Sequence, residues 1–87
     1  MEVIIHRVNS SSKLALIPNK YGVEIDVRDY KKELVLSHNP FQKGELLVNF
    51  LKKYNHGTLI INIKSEFIEF KIQKLLKKFK IKNYFYL

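Results

Sequence analysis

Glu24, Asp26 and Arg28 fall two apart in the run Gly22-Val-Glu-Ile-Asp-Val-Arg28. On a β-strand their side chains share one face, while Val23, Ile25 and Val27 share the other. Two carboxylates on one face of a buried strand are costly unless something cationic sits between them. A divalent metal is one solution, because Mg²⁺ or Ca²⁺ takes oxygen ligands and two acidic groups on one face can chelate it. An ion-pair ladder with Arg28, or with lysines from a neighbouring strand, is the other, and residue types alone leave the two in balance. Histidines add acid–base chemistry. His6 closes the run VIIH, His38 closes LVLSH, and Asn62 with Lys64 closes TLIINIK. If these strands run parallel, their carboxyl ends meet at one rim, where βα barrels and open α/β sheets build their sites. Two histidines beside a paired carboxylate would then make a convergent acid, base and metal constellation. His56, in the turn Asn55-His56-Gly57, reads as a loop residue on the opposite side. No Gly-rich phosphate loop, zinc-spaced His/Cys cluster or Ser-His-Asp order is found.

The elements that must position these groups follow from periodicity. VIIH (3–6) is a short β-branched strand that ends in the cluster Asn9 to Ser12. Ser11 or Ser12 can cap a brief helix over Lys13 to Ile17, which stops before Pro18. VEIDV follows Gly22 as the clearest strand, Asp29 to Lys32 form a charged turn, and LVLSH (34–38) is a third strand. From Lys43 to Tyr54 the period becomes helical, with Leu46, Leu47, Phe50, Leu51 and Tyr54 on one face. TLIINIK (58–64) is a strand. Ser65, with Glu66 and Glu69 behind it, opens a helix striped by Ile68, Ile72, Leu75, Leu76 and Phe79, and NYFYL closes the sequence as a strand. Strands alternating with amphipathic helices predict a parallel sheet covered by helices, and runs this apolar predict burial on both faces.

At 87 residues the chain is the size of one folding unit or part of one, with no linker or second domain. It has no cysteine, which fits a reducing, cytoplasmic setting. No apolar run approaches the ~18 residues of a membrane span. The net charge of +8 is uneven: residues 1–40 carry six Lys/Arg against five Asp/Glu, and residues 41–87 carry ten Lys against three Glu. Most of the excess is the stripe Lys71, Lys74, Lys77, Lys78, Lys80 and Lys82, which could grip nucleic acid or another polyanion, or serve as a solvated helix face. Tyr84, Phe85 and Tyr86 could stack bases but, inside an apolar strand, read as core.

Taken in order, Ile-Ile-His6-Arg7, Gly22-Val-Glu24-Ile-Asp26-Val, Leu-Val-Leu-Ser-His38 and Ile61-Asn62-Ile63-Lys64 resemble the amino-terminal half of the glycerophosphodiester phosphodiesterases, in the phospholipase-C-like superfamily. The resemblance runs from residue 4 to about residue 87. It implies a TIM-type (β/α)₈ barrel, of which this chain would supply about five strands. A complete barrel takes ~250 residues, so residues 1–87 are expected to be a partial domain completed by further chain or by a second chain. It also implies roles for residues. His6 and His38 would exchange protons with the attacking and leaving oxygens, Glu24 and Asp26 would ligate the divalent metal, and Arg7 and Lys64 would hold the phosphate. Asn62 stands where the family carries a third, glutamate ligand, and Asn39 where an aspartate follows the second histidine. The stretch VNSSSKLALIP replaces the family's usual sequence after His-Arg. Losing one metal carboxylate weakens divalent binding, so these departures bear on catalysis more than on fold. The expected activity is metal-dependent hydrolysis, or binding without turnover, of a small phosphodiester such as a glycerol-phosphate or sugar-phosphate compound. The alternative is a non-catalytic basic module that binds nucleic acid or another polyanion through its lysine-rich helix.

Overall fold

The computed structural model describes Met1–Leu87 as a mixed α/β fold. In chain order the elements are β1 (Ile4–Ile5), α1 (Ser11–Leu14), β2 (Gly22–Tyr30), β3 (Glu33–Leu36), β4 (Glu45–Leu46), α2 (Leu47–Lys52), β5 (Leu59–Ile63), α3 (Glu69–Lys78) and β6 (Tyr84–Tyr86). The sheet runs β4-β3-β2-β5-β6, and β1 pairs with the start of β2. No helix is long and apolar enough to cross a membrane.

The nine-residue strand β2 organises the sheet. One of its edges pairs in parallel with β5 from Val23↔Leu59 to Val27↔Ile63. Its other edge is shared: β1 pairs in parallel at Gly22 and Val23, and β3 pairs antiparallel from Val27 to Tyr30. Between them, the Val8 N–H donates to the Glu24 carbonyl at 2.8 Å and the Ser37 N–H to the Asp26 carbonyl at 3.0 Å, so the ladder hardly breaks where one neighbour hands over to the other. Gly22 is pressed from both sides. A Cβ there would sit 2.5 Å from both the Ile4 side chain and the Thr58 carbonyl. Outside the ladder, the Glu2 carboxylate accepts the Thr58 N–H at 2.7 Å and its hydroxyl at 2.5 Å, which fixes the first residues to the start of β5 and holds the Glu2 carboxyl below its usual range.

This arrangement corrects the all-parallel half-barrel. β3 returns antiparallel to β2 through a two-residue link, and β4 is antiparallel to β3, which leaves an open sheet with β4 and β6 at its edges. Physically, parallel neighbours need a crossover of a dozen or more residues, and the stretch between VEIDV and LVLSH has no room for one. Element limits shift as well. β2 extends through Tyr30, α1 is capped by Ser10 rather than Ser11 or Ser12, and α3 begins at Glu69 rather than Ser65. The helical run 43–54 divides into β4 and the shorter α2, because Glu45 and Leu46 pair with β3 before the helix starts.

Val23, Ile25 and Val27 of β2 join Leu59 and Ile61 of β5 against Phe50, Leu51, Ile72 and Leu76 of the two longer helices. The β2–β5 and β5–β6 connections step across the sheet in the same direction, so right-handed crossovers place both helices on one face. Val8 and Leu14 close that core from the amino-terminal side. The other face carries the polar row of β2. Burial on both faces therefore holds for the residues but not for the layers, since only one face has helices.

The β2–β3 link places Lys31 (φ 49°) and Lys32 (φ 68°) in left-handed conformation, as a type I′ hairpin turn requires. Lysine has no compensation for that strain. Lys32→Gly should raise stability by about 1 kcal/mol, seen as a melting temperature higher by about 4–8 °C. A lower melting temperature would show that the turn is not of this type.

Tyr54 gives a second expectation. Its hydroxyl donates to the Gly57 carbonyl at 2.5 Å, and burial, helped by the Glu2 charge, pushes its ionisation well above 10. Once the pH passes about 10 the unfolded chain releases this proton and the folded chain keeps it, so the unfolded state binds fewer protons and stability falls as pH rises. Alkaline denaturation followed by circular dichroism should show that limb, and Tyr54→Phe should flatten it, leaving the smaller slope of Tyr86, whose ionisation is also raised by burial.

Candidate active site

The polar face of β2 is built by strand alternation. Glu24, Asp26 and Arg28 project from it, and the parallel register sets Asn62 of β5 directly beside Asp26. Asp26 is 1% exposed, which makes it the most deeply buried ionisable group of the fold. Its neutralisation is specific. Lys64 brings Nζ to 3.9 Å from Oδ1, and the Asn9 amide donates to Oδ2 at 3.0 Å. Asn9 also returns a bond, since its Oδ1 accepts the Asp26 main-chain N–H at 2.9 Å. The amide of Asn9 thus continues the ladder that β1 has left, in the manner of a strand residue.

Glu24, two residues earlier on the same face, receives His6. Nδ1 of the imidazole lies 3.3 Å from Oε1 of Glu24. The carboxylate only accepts, so Nδ1 donates in this pair, and in the neutral imidazole Nε2 carries the lone pair. The two partners are differently exposed: the His6 side chain is 74% exposed and that of Glu24 11%. A buried carboxylate therefore orients an imidazole whose second nitrogen faces solvent. Oε2 of Glu24 carries no protein hydrogen bond.

Arg28 ends the row. Its Nη2 donates to the His38 carbonyl at 2.8 Å and its Nη1 to the Lys64 carbonyl at 3.4 Å, while Nε is buried without a partner. Arg28 therefore ties the loop after β3 to the end of β5, and no carboxylate neutralises it. The two carboxylates of its own row are taken by His6 and Lys64 instead.

His6, Glu24, Asp26, Asn62 and Lys64 come together on one face. His38 reaches this region differently. It follows an antiparallel strand, so the shared rim of parallel strand ends does not exist for it, and it approaches through its main chain at Arg28 while its Nδ1 lies 3.3 Å from Asn39 Oδ1. Arg7 is exposed with φ 54°, and its carbonyl accepts from Lys13 at 3.1 Å. His56 lies in the turn before β5, with Nε2 2.8 Å from the Ile17 carbonyl. No group of three or more His, Cys, Asp or Glu side chains gathers in metal-ligating geometry. Glu24, Asp26 and the Asn62 amide are the oxygen donors of this face, and both oxygens of Asp26 already have partners in Lys64 and Asn9. Asn9 was not legible as a site residue: it read as part of a Ser-rich loop, and only its place just after a strand hinted at a ladder role.

The chain was compared with protein-family models, curated proteins and solved structures, and none of them matches it.

Asn9→Ala removes both bonds to Asp26 and leaves a buried carboxylate oxygen and a main-chain N–H short of partners. The cost should be about 1–3 kcal/mol in urea unfolding. Asn19→Ala, at an exposed turn, should stay within about 0.5 kcal/mol. Equal effects would remove Asn9 from the description of the site.

Proposed function

We propose that the chain is a phosphodiesterase-like protein that binds and hydrolyses a small phosphodiester, of the glycerophosphodiester or sugar-phosphate kind, on the polar face of β2. The observation that supports this reading is the His6–Glu24 pair at 3.3 Å, with the imidazole open to solvent and its carboxylate buried. In such a pair Nε2 takes the proton of an attacking water or hydroxyl, and the carboxylate stabilises the imidazolium that forms. Lys64 supplies positive charge two residues along the same face from Asn62, where negative charge develops on the phosphoryl oxygens. Arg28, held by two carbonyls and free of any carboxylate, adds to the positive potential. His38 would be the second proton carrier, which requires its ring to leave Asn39.

Glu24, Asp26 and the Asn62 amide would hold a divalent cation, Mg²⁺ or Ca²⁺, with water completing its shell. When bound, the cation supplies Lewis-acid polarisation of the phosphate. Two carboxylates and an amide make a weaker site than three carboxylates, and Lys64 already neutralises Asp26, so turnover should need millimolar rather than micromolar metal. With glycerophosphocholine as substrate and Mg²⁺ or Ca²⁺ added, His6→Ala and Glu24→Gln should each lower kcat by about 100-fold or more. Absence of turnover, together with no cation-dependent NMR shift at Glu24 or Asp26, would remove this reading.

A second reading has its own observation. Lys71, Lys74, Lys77 and Lys78 are all exposed on α3 and none pairs with a carboxylate, which suits a polyanion such as nucleic acid. They lie on the helical layer, behind the sheet from Glu24 and Asp26, so the two readings use different surfaces.

A further inference from the structure

Where the row Glu24, Asp26, Arg28 ends, a cavity of about 470 Å³ opens between the end of β2 and the loop after β3. It is lined by Arg28, Asp29, Tyr30, Lys31, Pro40, Phe41 and Ser65, and three features of that lining point to one kind of ligand. The first is unbalanced positive charge. Arg28 is half-buried, bonded only to carbonyl dipoles and missing a partner at Nε, and neither it nor Lys31 has a carboxylate within ion-pair distance. Asp29 at the rim is exposed and pairs with neither.

The second feature is a hydroxyl free to donate. The Ser65 Oγ accepts the Asp29 N–H at 3.1 Å, which leaves its own hydrogen unassigned. The third is aromatic wall. Phe41 is 91% exposed and held in left-handed backbone (φ 60°), and with Tyr30 and Pro40 it supplies apolar surface beside those cations. A bare phosphate would use the cations and leave Phe41 in water. A planar ring attached to a phosphate uses both.

We infer that this cavity binds a nucleotidyl phosphate, with the phosphate at Arg28, Lys31 and the Ser65 hydroxyl and the base against Phe41 and Tyr30. The inference rests on the proposed phosphodiesterase face and deepens it, because Arg28 belongs to both and Ser65 directly follows Lys64. A diester whose scissile phosphate lies on Glu24, Asp26 and Lys64 and which carries a further nucleotidyl phosphate would place that second phosphate and its base in the cavity, which narrows the substrate class to nucleotide diesters. The site is one nucleotide in size, so a free dinucleotide and a single strand present the same chemistry to it.

The test uses the full chain with three probes: the dinucleotide TpT, the oligonucleotide dT₁₀ and glycerophosphocholine. Phe41→Asn and Lys31→Asn keep residues that tolerate positive φ, so both variants should fold. Phe41→Asn should weaken TpT and dT₁₀ binding by about 5–150-fold, the range for loss of one base–aromatic stack. Lys31→Asn should weaken both nucleotide probes and lower the salt slope of dT₁₀ binding by about 0.7, the value for one single-strand phosphate contact. Similar affinity for TpT and dT₁₀ would assign a free dinucleotide, and a much tighter, more salt-dependent dT₁₀ would assign a strand. Glycerophosphocholine turned over, with no preference for TpT and no effect of Phe41→Asn, would overturn the inference and leave the phosphodiesterase reading in place. Phe41-dependent TpT binding without hydrolysis of any probe would do the reverse. Loss of dT₁₀ binding in Lys74→Gln/Lys77→Gln but not in Phe41→Asn would move the ligand to α3 and also overturn it.

Discussion

Burying the carboxylate of Asp26 at the centre of the sheet is the constraint on which the other elements depend. An isolated carboxylate at 1% exposure is strongly disfavoured unless it is paired and hydrogen-bonded. Here its partners come from both flanking segments: Asn9 from the chain that follows β1, and Lys64 from the end of β5. Each contact that neutralises Asp26 therefore also fixes the position of a segment. Asn9 carries the amino-terminal segment past the end of β1, and Lys64 holds the end of β5 beside β2 in the register that brings Asn62 opposite Asp26. A sheet with an apolar residue at position 26 could be as stable, because a well-packed hydrophobic replacement often matches a buried ion pair. It would lose the reason for that particular placement of Asn9 and Lys64.

Much of this was legible in the sequence, and what was not has identifiable causes. The alternation of Val23, Ile25 and Val27 with Glu24, Asp26 and Arg28 gives the strand and both its faces directly. One of the two solutions open for the paired carboxylates, lysine from a neighbouring strand, is what surrounds Asp26. Strand direction was lost to a different cue. Alternating strands and helices suggest parallel pairing, but the few residues between VEIDV and LVLSH can only form a hairpin, and Lys31-Lys32 lacks the Asn-Gly chemistry that would announce one. The direction of β3 then decided the fate of His38, since a strand end counts as part of a shared rim only when the strand runs parallel to its neighbours. β4 was hidden because Leu46 fits the helical period of Leu47, Phe50 and Leu51, and pairing with Val35 overrode that period.

The arrangement of charge follows from the same topology. With both crossover helices on one face, the lysines of α3 are displayed on the back of the molecule, and the polar row of β2 is left on the front. Net charge alone would merge these into one basic protein. The front, however, is not simply basic: Glu24 pairs with His6 and Asp26 with Lys64, and the cations without a carboxylate partner, Arg28 and Lys31, stand at one end of the row.

Arg28 shows how one side chain can tie segments together and still keep its charge uncancelled. Its two Nη groups bind carbonyls of the β3–β4 loop and of the end of β5, so its planar fork bridges the segments on either side of β2. Carbonyl dipoles orient a guanidinium without cancelling its charge, unlike a bidentate carboxylate, which would do both. The positive charge is therefore held in place, with little side-chain freedom left to lose. Fixing the loop through the His38 carbonyl also sets where Pro40 and Phe41 can stand, so the residue that supplies the charge of the cavity is the one that positions its aromatic wall.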